Sequence, residues 1–215
     1  MKNYARLFTM FLVVLSTTVM AQRSTFETAM QETFVLLDSA KHEAELSVVA
    51  ARFERIGLAE SNRWEPFYYQ AFTLILASYS SKDSKAKDDC LDKAQVCIDK
   101  AFELKGERSE LLTLQGWLYQ GRISVSPSRG MTYSAKAGEV LKQALEVNPE
   151  NPRAHYLMGM NVYHTPKMFG GGSVKALPYF ETAAKLFKIQ RSLNLLPKWG
   201  LHSNERMIEV CKKES

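Results

Sequence analysis

Nine residues of chemically useful type recur at helical spacing in this chain: Tyr68 and Phe72; Thr113, Trp117 and Gln120; Tyr156, Met160, Tyr163 and His164. Steps of three and four residues place the members of each group on one face of a helix. The set offers aromatic rings, a thioether, an amide, hydroxyls and an imidazole, and it contains no carboxylate. Such groups bind by stacking, apolar contact and a few hydrogen bonds, and Tyr, Trp and Met are enriched at the cores of interfaces. They do not compose a nucleophile and its base. No strand-turn-helix elbow and no HExxH-type helix brings Ser, His and Asp together. Carboxylates are scattered over amphipathic helices and nominate no acid–base pair, and the four histidines stand isolated. The reading is a non-enzymatic protein with no catalytic residue and no cofactor.

Three other segments carry groups that could act. The run from Met158 to Met168 holds Met160, His164 and Met168, soft and borderline donors of the kind that bind Cu(I). Met158 falls on a core position of the pattern described below, and no metal site is assigned. Gly170-Gly171-Gly172-Ser173 precedes a helix and could present N–H groups to an anion, but it lacks the Lys-Ser/Thr ending and the preceding strand of a P-loop. It reads as a turn with Ser173 as N-cap. The stretch from Ile123 to Tyr133, with Pro127, Arg129 and Gly130, reads as an exposed insertion.

The elements that must position these residues are helices joined by loops, and their arrangement is written in a spacing that occurs three times. Ala94, Ile98 and Ala101 recur as Ala137, Leu141 and Ala144, then as Ala176, Phe180 and Ala183, at offsets of 43 and 39 residues. Each copy is preceded by a small residue, at Ala71, Gly116 and Gly159. A small residue facing a small-large-small helix lets two antiparallel helices approach closely, and self-similarity at this period means a stacked helical repeat. The expected pairs are 65–79 with 86–104, 109–121 with 134–147, and 152–163 with 174–187. Phe26, Met30, Phe34 and Leu37, then Leu46, Val49, Phe53 and Ile56, form an N-terminal capping pair over 22–61. A closing helix with Met207, Val210 and Cys211 on its apolar face follows Pro197-Lys198-Trp199-Gly200, with Ser203 as its N-cap and Trp199 over the end of the last repeat. No period-two strand pattern of any length is present.

Over about residues 62–188 the chain resembles the tetratricopeptide repeat family. The third copy supplies His155, Gly159, Val162, Ala176, Phe180 and Ala183; the second Leu112, Gly116, Tyr119, Ala137, Leu141, Ala144 and Pro149; the first Phe67, Ala71, Leu74, Ala94, Ile98 and Ala101. The copies exceed the family's 34-residue period, so the intra-repeat loops are expected to be lengthened, and His155, Gly106 and Lys188 replace the favoured Trp, Pro and Pro. There is a weaker similarity to the exported repeat proteins that accompany TRAP-type solute transporters. The resemblance implies an all-α, right-handed superhelical solenoid whose concave groove is lined by the first helix of each pair. The nine residues named first then form one aromatic groove, and the implied function is protein or peptide binding. An aromatic strip of that length is covered by something, either a partner or the chain's own terminal segment.

Lys2 and Arg6, the apolar run 7–15 and the small residues Val19 and Ala21 form a signal-peptide pattern over 1–21. Its removal takes away Lys2 and Arg6 and no acid, lowering the net charge from +5 to +3. Bases and acids alternate along the helices, which excludes a nucleic-acid footprint. The run is too short to span a bilayer, so no stable membrane insertion is expected after cleavage. Cys90 and Cys97 sit about 10 Å apart along one helix, too far to pair, and the three cysteines read as free thiols. The expectation is an exported protein, periplasmic or secreted, whose partner is a protein or peptide of the cell envelope. The alternatives are a small-ligand carrier or transporter-associated component, an enzyme using the inserted loops, and a stack that self-associates through its groove.

Overall fold

The computed structural model describes residues 25–190 and 195–214; the signal-peptide reading of 1–21 lies outside the described residues. Among them the chain is all-α, with helices α1 (25–39), α2 (Glu43–Ala59), α3 (Glu65–Ser80), α4 (Ser84–Glu103), α5 (Arg108–Val125), α6 (Gly130–Val147), α7 (Pro152–His164), α8 (Ser173–Ile189) and α9 (Leu201–Glu214). Consecutive helices pack as pairs, and α3, α5 and α7 also pack on one another in series, so one helix of each pair lines a common face. This is a solenoid-like arrangement.

Local chemistry starts and stops the helices where the joints must be tight. Asp83 accepts from the Ala86 N–H, Glu107 from the Ser109 and Glu110 N–H groups, and Asn151 from those of Arg153 and Ala154. Each such cap contributes about 1 kcal/mol. At the end of α4, Lys105 adopts φ 57°, and the Gly106 N–H reaches the Ala101 carbonyl while the Lys105 N–H reaches that of Phe102. This closes the helix with a Schellman motif, built without glycine at its left-handed position.

The repeated triplets are the spine of the core. Ala94, Ile98, Ala101, Ala137, Leu141, Ala144, Ala176, Phe180 and Ala183 are all fully buried. The small residues opposite them admit the large ones: a Cβ on Gly116 would lie 2.6 Å from Leu141 Cγ, and one on Gly159 would lie 2.6 Å from Phe180 Cε1. At the N-terminal end Phe34 packs on Phe53 and Tyr69, with ring centroids 5.9 and 4.5 Å away.

The structure departs from the sequence reading at the joints. The supposed insertion at 123–133 is mostly helix, since α5 continues to Val125 and α6 begins at Gly130 after a 3₁₀ turn, Pro127–Arg129. An ion-pair cluster holds this extension in place. Arg129 binds both oxygens of Asp88, at 2.7 and 2.8 Å, Arg122 binds Asp88 at 2.7 Å, and Arg122 also pairs with Asp92. The extra residues of the second repeat therefore lengthen helices, not a loop. Gly172, with φ 98°, is the N-cap of α8, and Ser173 is its first residue. That helix runs through Pro178, leaving the Val174 carbonyl without its intrahelical donor at a residue exposed to water. Helix α9 begins at Leu201, two residues before Ser203, following Gly200 at φ 108°. Cys90, Cys97 and Cys211 form no disulfide with one another, and burial pushes the Cys97 thiol up to about 12.

Candidate functional site

The lining face is built by α3, α5 and α7, but the residues expected on it lie at three different depths. Tyr68 and Thr113 are fully buried and Phe72 is 7 % exposed. The Thr113 hydroxyl donates to the Ser109 carbonyl at 2.7 Å and accepts from Asn151 Nδ2 at 3.3 Å, which places it in the joint between repeats. These three residues are floor, not contact surface.

Above that floor lies the chain's own C-terminal segment. The Trp199 indole stacks on Trp117 at 5.1 Å with planes 24° apart, and it meets Phe72 at 5.5 Å. Its Nε1–H donates to the Tyr68 hydroxyl at 2.9 Å, and the Tyr69 hydroxyl donates to the Leu195 carbonyl at 3.2 Å. Trp199 thus enters the groove, which corrects its expected position over the end of the last repeat. The α3 end of the strip is filled from within the chain.

A buried charge pair underlies this contact. Arg153 Nε donates to both oxygens of Glu110 at 3.0 and 2.9 Å, and Nη2 donates to Oε1 at 2.7 Å. Their side chains are 1 % and 8 % exposed. Arg153 Nη1 also reaches Gln190 at 3.1 Å, and its guanidinium lies 5.9 Å from the Trp199 ring. The Tyr68 hydroxyl accepts from Trp199 and donates to Glu110 at 3.4 Å. Burial, reinforced by the Glu110 charge, holds that hydroxyl well above the ordinary tyrosine range, so it is a neutral link between the indole and the ion pair.

The open part of the face lies beyond Trp199. Tyr79, two turns past Phe72 on α3, stacks on Trp117 at 6.1 Å with planes 24° apart. Tyr79 is 43 % exposed. Burial and the neighbouring Tyr156 hydroxyl raise its pKa, with Trp117 acting the other way. Tyr156 is half-buried against Phe180 at 6.1 Å; burial raises its hydroxyl, and Ser203 and Arg206 of α9 oppose that shift. Tyr79, Trp117, Trp199 and Tyr156 therefore form one half-open aromatic face with a cation at its rim. Gln120 spends its amide on the Leu157 carbonyl at 2.8 Å and ties α5 to α7.

Of the rest of the expected strip, Met160 and Tyr163 are covered by α9. Met160 and Tyr163 are half-buried against a cluster that includes Met207, Ile208 and Cys211, and the Tyr163 hydroxyl donates to Glu214 at 2.9 Å. His164 is exposed at the end of α7, 5.0 Å from the Tyr163 ring, and partial embedding of its imidazole holds it below the ordinary histidine range. Met168 stands on the next turn, 83 % exposed, apart from Met160 under α9. The glycine turn spends its N–H groups internally: those of Gly170, Gly171 and Gly172 donate to the carbonyls of Lys167, Pro166 and Val162. A shallow polar depression of about 530 Å³, lined by Lys41, His42, Glu43, Ala44, Ser47 and Ser80, lies at the α1–α2 turn and holds none of these aromatic rings.

Register thus brought α3, α5 and α7 to one face but named neither Tyr79 nor Trp199, which share its half-open part. Tyr79 lies seven residues after Phe72, two turns along the same stripe, a signal present in the sequence. Trp199 lies outside every repeat, and no periodicity points to it.

No protein-family model and no curated protein matches the chain. Among solved structures it is similar to the HusA haemophore from Porphyromonas gingivalis, with 32 % identity over 88 % of this chain and 94 % of that one and a TM-score of 0.80. The chain belongs to the family of that haemophore.

Proposed function

We propose, from that membership, that the protein is an exported, non-enzymatic carrier of haem, which it holds on the half-open face of Tyr79, Trp117, Trp199 and Tyr156. The likeness to a haemophore over nearly the whole of both chains is the observation that carries this reading. The face supplies its chemistry. Haem is a flat, mostly apolar macrocycle with carboxylates along one edge, and exposed indole and phenol rings are the surfaces on which such a plate is buried. Each well-placed aromatic pair contributes about 0.5–1.5 kcal/mol beyond the area it covers. Arg206, beside Tyr156, is the cation suited to a carboxylate at the rim. Burial raises the Tyr79 and Tyr156 hydroxyls above the ordinary tyrosine range, so both are neutral in the free protein, and stacking and apolar contact are what these rings offer the macrocycle.

The C-terminal segment already occupies the Tyr68, Tyr69 and Phe72 side of the groove. That favours a compact ligand over the extended peptide a fully open groove would take. The helix pairs are read as tetratricopeptide-like repeats on the strength of their buried triplets, and export rests on the leader pattern and on the haemophore likeness. Titration with haemin, followed by Soret absorbance and tryptophan quenching, tests the assignment. Saturable binding is expected in the wild type, and it should weaken at least ten-fold in the Trp117→Ala/Tyr156→Ala protein with helicity unchanged. A wild type that does not saturate, or a variant that binds as well, overturns it.

A further inference from the structure

The turn between α7 and α8 exposes what the rest of the fold hides. Met168 is 83 % exposed and Phe169 66 %, with Val174 at the start of α8 62 % exposed and Met131 at the start of α6 84 %. This display is built, not frayed. The Phe169 N–H donates to Pro166, Gly170 to Lys167, Gly171 to Pro166 and Gly172 to Val162, and the Thr165 hydroxyl donates to Asn161. Gly170 and Gly172 sit at φ 86° and 98°, and a Cβ on Gly171 would lie 2.0 Å from the Thr165 carbonyl oxygen. Three glycines are thus spent on holding a tight 3₁₀ turn that points a Met and a Phe into water.

The charge around this tip has one sign. No Asp or Glu occurs from Leu111 to Gly138 or from Asn151 to Phe180. Arg122 and Arg129 are consumed by Asp88 and Asp92, while the exposed Lys136, Lys167 and Lys175 pair with no carboxylate among the described residues. Glu139 and Glu181 lie just beyond these two stretches, and Glu214 is bound by Tyr163 and preceded by Lys212 and Lys213. Asn161 of α7 is tied to α6, donating to the Ser134 carbonyl at 3.1 Å and accepting from the Ser134 hydroxyl at 3.2 Å.

We infer that this edge is a peripheral anchor for an anionic lipid bilayer: Met168 and Phe169 enter the interface, and Lys167, Lys175 and Lys136 meet the headgroups. The N–H groups from Phe169 to Gly172 are already bonded within the chain, so they offer no directional donor to a folded partner. A fluid interface needs none. Apolar insertion and lysine attraction are the two contributions that hold peripheral proteins at acidic membranes. Among the described residues no helix is long and apolar enough to cross a membrane, so attachment through them is of this superficial kind.

Co-sedimentation of the full chain with vesicles of phosphatidylcholine, with and without phosphatidylglycerol, tests the inference. Binding should require the anionic lipid and weaken with salt. Met168→Ser/Phe169→Ser should reduce it at least ten-fold, and Lys167→Glu/Lys175→Glu should reduce it as much, with haemin titration and helicity unchanged in both. Comparison within one chain cancels whatever residues 1–24 contribute. Equal binding by either variant overturns the inference. So does a wild type that stays in the supernatant, an outcome that leaves the tip to an acidic protein partner.

Discussion

Removing one member of the Glu110–Arg153 pair should cost far more than removing both. Arg153 makes three N–H contacts with Glu110 at 2.7–3.0 Å, and the two side chains are almost wholly excluded from water. Arg153→Met leaves the Glu110 carboxylate buried with only the Tyr68 hydroxyl, at 3.4 Å, as side-chain donor. Glu110→Leu leaves a guanidinium facing Gln190 and two rings, those of Phe187 and Trp199. Orphaning a buried charge of this kind costs about 3–5 kcal/mol, whereas replacing both partners by apolar residues of similar volume is close to neutral. Each single variant should therefore lose roughly 10 °C in melting temperature, at about 2–4 °C per kcal/mol for a chain of this size. The double variant should recover most of the loss, giving a coupling energy of several kcal/mol in a double-mutant cycle. Urea unfolding followed by far-UV circular dichroism gives the energies. Near-UV signal from the Trp117–Trp199 stack should fall in the single variants, because the pair underlies the C-terminal segment. Additive losses, or single variants within 1 kcal/mol of wild type, refute the claim that this pair is a dry, mutually dependent unit.

Two further outcomes follow from local geometry. Hydrogen bonds from Arg129, and then from Arg122, hold the Asp88 carboxyl below its ordinary value, so its contribution to stability is present above the unfolded carboxylate pKa of about 4 and is lost as pH falls through the lowered folded value. The stability gap between wild type and Asp88→Asn should therefore be constant from pH 5 to 7 and close below about pH 4; a gap that widens on acidification contradicts the assignment. Lys105→Gly should stabilise the chain by about 1 kcal/mol in urea unfolding, because glycine relieves the left-handed φ of 57° at the end of α4, and a destabilised variant means the lysine has a contact that outweighs its strain.

What the sequence made legible is what depends on register. The triplets are buried as their spacing predicts, because a helix pair can close only if Gly116 and Gly159 leave room for Leu141 and Phe180, and that requirement is local. The same periodicity brought α3, α5 and α7 to one face, but it could not say how deep a residue sits or what lies over it. Tyr68 and Trp117 both read as groove residues in the repeat pattern. In the structure one is a fully buried relay to an ion pair and the other a half-open stacking surface, and the difference is made by Trp199, far outside the repeats. The joints were misread for a related reason. Arg129 stands in what reads as an exposed insertion until Asp88 of α4, distant in the sequence, binds it together with Arg122 and holds the stretch as a helix extension. In a stacked repeat, core positions follow from short-range spacing, while the binding face is finished by the segment that leaves the pattern. The half-open face therefore owes its size to the C-terminal segment: Trp199 closes the Phe72 end, α9 covers Met160 and Tyr163, and the rings left between them are the area to which the haem assignment commits.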